Sequence, residues 1–128
     1  MNINLLDENE ITSKWKNSKC IVSVSVITFN HVNFISKTLN LILSQKTDFK
    51  FEILIHDDAS FDGTQKIIKD FQLKYPNIIF PIFQKENQYE YHKKNNMNFP
   101  PSHSNNFHRS KGEYIALCDG DDEWISNN

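Results

Sequence analysis

Apolar residues fall along the chain in short runs, and the runs alternate between two periods. Cys20 to Thr28 reads Cys-Ile-Val-Ser-Val-Ser-Val-Ile-Thr. It is β-branched almost throughout and has no breaker, which predicts a strand. Small serines alternate with the valines, a pattern suited to a strand covered on both faces. From Asn33 to Gln45 the period changes. Ile35, Leu39 and Ile42 share one helical face, with Phe34 and Leu41 beside it. Phe51 to His56 is a second apolar run and a second predicted strand. Asp62 and Gln65 then have the N-cap to N3 spacing of a capping box. The helix after them turns Ile67, Ile68, Phe71 and Tyr75 inward and stops at Pro76.

Asn77 to Ile82 predicts a third strand, weakened by Pro81. Gln84 to Pro101 has no period and is rich in Asn, Lys, Tyr and His, which predicts a long loop. A loop of that length in a compact domain is usually functional or mobile. Ser102 to Lys111 predicts a short helix with Phe107 as its only large apolar residue. Tyr114 to Cys118, behind Gly112, predicts a last buried strand.

Strands alternating with helices predict an α/β fold with a mainly parallel sheet flanked by helices. In such sheets ligands bind beyond the carboxyl ends of the strands. Thr28-Phe29-Asn30, Asp57-Asp58 and Asp119 to Asp122 each follow a different predicted strand. They therefore share one rim and are placed to meet over one ligand.

Length and composition narrow this picture. The 128 residues suit one domain with a modest core. Residues 1–19 read as a polar extension and 20–128 as the domain. The 38% apolar and 23% charged content is that of a globular chain. A net charge of −2 provides no global field for nucleic acid or an anionic membrane. No run approaches the roughly 18 apolar residues of a membrane span, and Met1 to Lys19 lacks a signal-peptide core. Three glycines are too few for a Gly-rich phosphate loop. In parallel strands Cys20 would open one and Cys118 close another. At about 3.3 Å per residue they would lie too far apart to bridge, which suggests buried thiols in a reducing compartment.

The chemistry concentrates after the last strand, in Asp119-Gly120-Asp121-Asp122-Glu123. Carboxylates this close raise each other's pKa unless a cation joins them. Their hard oxygens suit Mg²⁺ or Mn²⁺, especially where phosphate completes the shell. The alternative is an acidic surface turn, since short acidic motifs often match by chance. Gly120 is misplaced for an EF-hand loop. Phe29 reads equally as core, and Asp57-Asp58 as a solvated turn, with Asp57 the more structural of the two. His56 reads as a packed, hydrogen-bonded residue. His92, His103 and His108 have no zinc spacing.

Three segments together resemble family 2 glycosyltransferases of the GT-A fold. They are Val24 to Asn30, Glu52 to Thr64, and Gly112 to Trp124, in order and at matching spacing over about residues 20 to 126. Glu86-Asn87-Gln88-Tyr89 resembles a bacterial branch of that family. The resemblance implies a Rossmann-like domain that binds a nucleotide-diphosphate-sugar, a UDP-sugar favoured. Thr28 and Phe29 would border the base, Asn30 would belong to the same nucleotide-sugar site, Asp58 would accept from a base N–H, and Asp119 and Asp121 would lie by the ribose and the metal. Asp121 and Asp122 would hold Mn²⁺ or Mg²⁺. It implies inverting transfer to a glycan or lipid-linked acceptor in cell-surface polysaccharide synthesis, on the cytoplasmic side and at most peripheral to the inner membrane. Ile27 stands where many members carry proline, and Arg109 is out of register with the family's diphosphate arginine. The base would lie downstream of Asn128, so this stretch reads as a truncated, donor-binding half. The rival expectation is a non-catalytic nucleotide-sugar-binding fragment or subunit. A donor-binding half would leave apolar surface around Tyr114, Ile115, Leu117 and Trp124 without a partner.

Overall fold

The computed structural model describes residues 5–97 and 103–124. Four parallel strands form its sheet: β1 (Cys20–Thr28), β2 (Lys50–Asp57), β3 (Ile79–Phe83) and β4 (Tyr114–Asp119). Their order across the sheet is β3-β2-β1-β4. The two most apolar strands are therefore central, and Pro81 sits on edge strand β3, where a missing donor is tolerated.

The helices are α1 (Glu8–Thr12), α2 (Ile35–Leu43), α3 (Thr64–Lys74), α4 (Gln88–Lys94) and α5 (Ser104–Arg109). The register pairs Val24 with Ile53 and Val26 with Ile55, so these four share one face. That face packs with Ile35, Leu39 and Ile42 of α2 and Ile68 of α3 in one core cluster. Complete burial of each such side chain stabilises by roughly 1.5–3 kcal/mol. The alternate residues Ser23, Ser25, Glu52 and Leu54 point the other way. There they meet α5, whose buried inward residue is Asn106 rather than the half-exposed Phe107.

Several local expectations need revision. Part of the polar segment before β1 packs on the domain. A capping box between Asp7 and Glu10 starts α1, Ile11 is buried, and Trp15 packs edge-on against Phe51 at 5.6 Å. No capping box opens α3. Asp62 accepts from the backbone and hydroxyl of Thr64, while Gln65 donates to Asp57 at 2.7 Å instead. Gly63, at φ 107°, is the N-cap residue, in a conformation that glycine adopts without strain.

The expected loop from Gln84 contains α4, which buries none of its residues and so shows no apolar period. Its last residues, 98–101, lie outside the described residues. Cys20 and Cys118 are free and buried at opposite ends of their strands. Edge strand β4 leaves Tyr114, Ile115 and Leu117 exposed at 66%, 41% and 58%. Trp124, in contrast, packs partly buried against the core.

Candidate donor-binding site

The carboxyl ends of β1, β2 and β4 open into one cavity of about 580 Å³. Its wall contains Thr28 and Phe29 at the end of β1, His56 and Asp58 at the end of β2, and Asp119 and Asp121 at the end of β4. The strands reach one rim because all three run parallel, with Thr28 level with Asp57 and Ile27 level with Asp119.

The β1 end is fixed by its own hydrogen bonds. Thr28 is buried, and its hydroxyl lies 2.9 Å from Nδ1 of His31. Gly120 closes on this pair. A Cβ there would come within 2.5 Å of the Thr28 hydroxyl and 2.6 Å of His31 Nδ1, so β4 docks here only through a glycine. Nε2 of His31 faces Asp121 at 3.8 Å. Phe29 is 39% exposed and edge-on to Phe61, which decides against the plain-core alternative for its ring. Asn30 is turned aside: its backbone N–H donates to the Ser60 hydroxyl, and its carboxamide oxygen accepts from the Phe61 N–H. It is not among the residues lining the cavity.

The two β2 aspartates differ. Asp57 is fully buried and accepts from the backbone and hydroxyl of Ser60 and from Gln65, which makes it the brace of the β2–α3 turn. Asp58 lines the cavity. Its Oδ1 accepts from the Gln88 N–H at 2.6 Å and its Oδ2 from the Tyr89 N–H at 3.2 Å, both in the first turn of α4. Each carboxylate oxygen keeps a further lone pair for a ligand.

His56 is buried beneath them, and the Gln84 amide donates to its Nε2 at 3.1 Å. Burial pushes its pKa below the ordinary 6.5, against the opposing pull of Asp58 and Asp57. His103 hydrogen-bonds to the Ser25 hydroxyl at 2.7 Å, and burial lowers its pKa as well.

At the β4 end, Asp119, Asp121 and Asp122 each offer one carboxylate oxygen, all within 4.8 Å of one another. All three are exposed. Asp122 also accepts from the Asp119 N–H at 2.8 Å, which holds the turn, and Lys37 of α2 pairs with Glu123 at 2.7 Å. A hard divalent cation fits this set of oxygens. Burial, with Asp122, Asp119 and Asp121 nearby, pushes the Cys118 thiol up to about 12, so it is unreactive. Arg109 stays off the cavity wall and donates to the Ile55 carbonyl and the Asn106 side chain.

Sequence reasoning missed the cavity residues His31, Asn87, Gln88, Tyr89 and Glu90 and gave His56 only a packing role. Two signals were present. His56 lies two residues before Asp58, on the same side of the strand. Asn87 and Glu90 have N-cap to N3 spacing, and Asn87 does cap the Glu90 N–H at 2.8 Å.

A parallel sheet with an acidic rim at the carboxyl ends of its strands defines an α/β protein whose ligand crevice lies at that rim. The model of Glycosyl transferase family 2 matches residues 23–127, and the chain belongs to that family. It is 33% identical over 102 residues to the uncharacterized glycosyltransferase MG060 of Mycoplasma genitalium, covering 79% of this chain and 32% of that protein. Among solved structures it resembles Staphylococcus aureus TarS 1-349 in complex with UDP, with a TM-score of 0.63 and 25% identity over 80% of this chain and 28% of the other. The mannosyltransferase PcManGT of Pyrobaculum calidifontis, in complex with GDP-Man and Mn²⁺, shares the fold. Its TM-score is 0.67 at 20% identity, over 99% of this chain and 33% of the other. These solved structures are GT-A glycosyltransferases, so the expected fold holds. The chain thus spans about a third or less of each of these three proteins.

Proposed function

We propose that this chain binds the nucleotide-diphosphate-sugar donor of an inverting glycosyltransferase, with a UDP-sugar favoured. The observation that carries the reading is the convergence of Thr28, Phe29, Asp58, Asp119 and Asp121 from three strand ends on one cavity. Phe29 presents an open ring to the base, and Asp58 has acceptor capacity left for a base N–H. Asn30 serves this subsite from behind by tying the β1 and β2 turns together. Asp119 and Asp121 face the ribose and the diphosphate.

Asp121 and Asp122 are the proposed ligands of Mn²⁺ or Mg²⁺, joined by Asp119 within the same cluster. A bound divalent ion neutralises charge on the leaving diphosphate. The Asp119–Asp122 hydrogen bond and the Thr28–His31–Gly120 contact hold these carboxylates in place before the donor arrives. Such pre-positioning is what lets an electrostatic site act without reorganising. A relative 30% identical over 108 residues, the putative teichuronic acid biosynthesis glycosyltransferase TuaG of Bacillus subtilis, supports a polysaccharide as the product.

A thermal-shift panel of nucleotide sugars with and without Mn²⁺ tests the reading. One donor class is expected to raise the melting temperature only when metal is present. At about 100 times Kd the gain is about 2.7 kcal/mol. No shift with any nucleotide sugar at millimolar concentration would contradict it.

A further inference from the structure

The segment between β3 and α5 poses a physical problem. Helix α4 has seven residues and buries none of them. A helix so short is marginal without packing. Polar contacts hold it, and they converge on the end of β2. The Asn87 side chain donates to the Asp58 carbonyl at 2.9 Å, and both Asp58 carboxylate oxygens take backbone N–H groups of Gln88 and Tyr89. Upstream, Gln84 is bonded to His56 through its side chain and to the Asp57 carbonyl through its N–H. The clasp thus presents the first turn of α4 to the cavity and leaves Tyr89 on its wall, 49% exposed, together with Phe29. An aromatic ring outside the core cluster of the described residues, on the wall of a cavity that holds a second open ring, is arranged for a flat ligand.

We propose that Tyr89 is a second aromatic contact for the donor's nucleobase, and that Asp58 is the positioning residue that holds it there. The inference rests on the donor-site reading above and assigns α4 to base binding within it. Stacking of a base on an aromatic side chain is sequence-tolerant and strong enough to change affinity by about tenfold. Asp58→Asn would set an amide N–H₂ against one of two helix N–H donors and release the turn. Part of its cost in affinity is then the loss of Tyr89.

Isothermal titration on the full-length protein, with UDP and with inorganic pyrophosphate in Mn²⁺, tests this. Tyr89→Ala is expected to weaken UDP about tenfold and to leave pyrophosphate, which has no base, unchanged. Tyr89→Phe is expected to bind UDP as the wild type does. In a double-mutant cycle, Asp58→Asn is expected to cost less in the Tyr89→Ala background than alone. Equal UDP affinity of wild type and Tyr89→Ala would overturn the inference, as would equal losses for UDP and pyrophosphate or strict additivity with Asp58→Asn. If the wild type binds pyrophosphate with Mn²⁺ but no nucleotide, the donor-site reading itself fails, and the inference with it.

Discussion

The two faces of the central strands are built on different rules. On one, Val24, Val26, Ile53 and Ile55 bury against α2 and α3. On the other, Ser23 donates to Glu52 at 2.6 Å, Glu52 accepts the Lys111 N–H at 2.7 Å, and Asn106 reaches Ser25, the Val26 carbonyl and the Leu54 carbonyl within 3.2 Å. The first face needs volume and apolarity. The second needs particular donors and acceptors, because a buried polar group without a partner costs about 1–3 kcal/mol. Valine–serine alternation in β1 writes both rules into one strand, and a one-residue slip would exchange them. The polar face also runs into the cavity through His56, so the site grows out of the hydrogen-bonded side of the sheet.

The difference can be broken by substitution. Ile53→Ala should lose about 2–5 kcal/mol in urea unfolding, while Ile53→Val should lose only about 0.5–1.5. Asn106→Leu keeps the branched outline of the side chain but removes the amide donor shared by Ser25 and the Val26 and Leu54 carbonyls and the oxygen that accepts from Arg109. It should lose roughly 1–3 kcal/mol. Near-neutral Asn106→Leu would show that the polar face tolerates the same swaps as the apolar one.

A pH series sharpens the comparison. Burial holds His56 and His103 below the ordinary 6.5. As pH falls through that value the unfolded chain takes up protons that the folded chain resists, so stability falls in acid and is level above neutrality. His56→Gln should flatten the slope between about pH 5.5 and 7.5. An unchanged slope would remove His56 from the account. The smallest effect belongs to neither face. Lys37 and Glu123 are each more than half exposed, and Lys37→Ala should cost at most about 1 kcal/mol, an effect that shrinks with salt.

What the sequence made legible follows the same division. Strands β1 and β2 and helices α2 and α3 carry period or β-branching, because apolar burial imprints a pattern, whereas β4, whose apolar run predicts a buried strand, is an edge strand with most of its side chains exposed. The acidic rim was legible because parallel topology places strand ends together. Helix α4 left no such imprint: caps from Asn87 and Asp58 hold it, and a capping partner thirty residues away has no local signature. The same reason hid Gln65, which turns from its own N-cap to brace Asp57. Asn30 looked like a ligand-facing residue after a strand, yet its side chain is taken by Phe61 of the neighbouring turn.

The central claim is that the β4 carboxylates make nucleotide binding depend on a divalent metal. Titration of UDP into wild type and Asp122→Ala, each with and without Mn²⁺, measures it directly. The account predicts binding by the wild type that requires Mn²⁺ and is lost in Asp122→Ala, with folded stability nearly unchanged because relief of like-charge repulsion offsets the lost Asp119 N–H contact. Metal-dependent binding of equal strength in Asp122→Ala would contradict it.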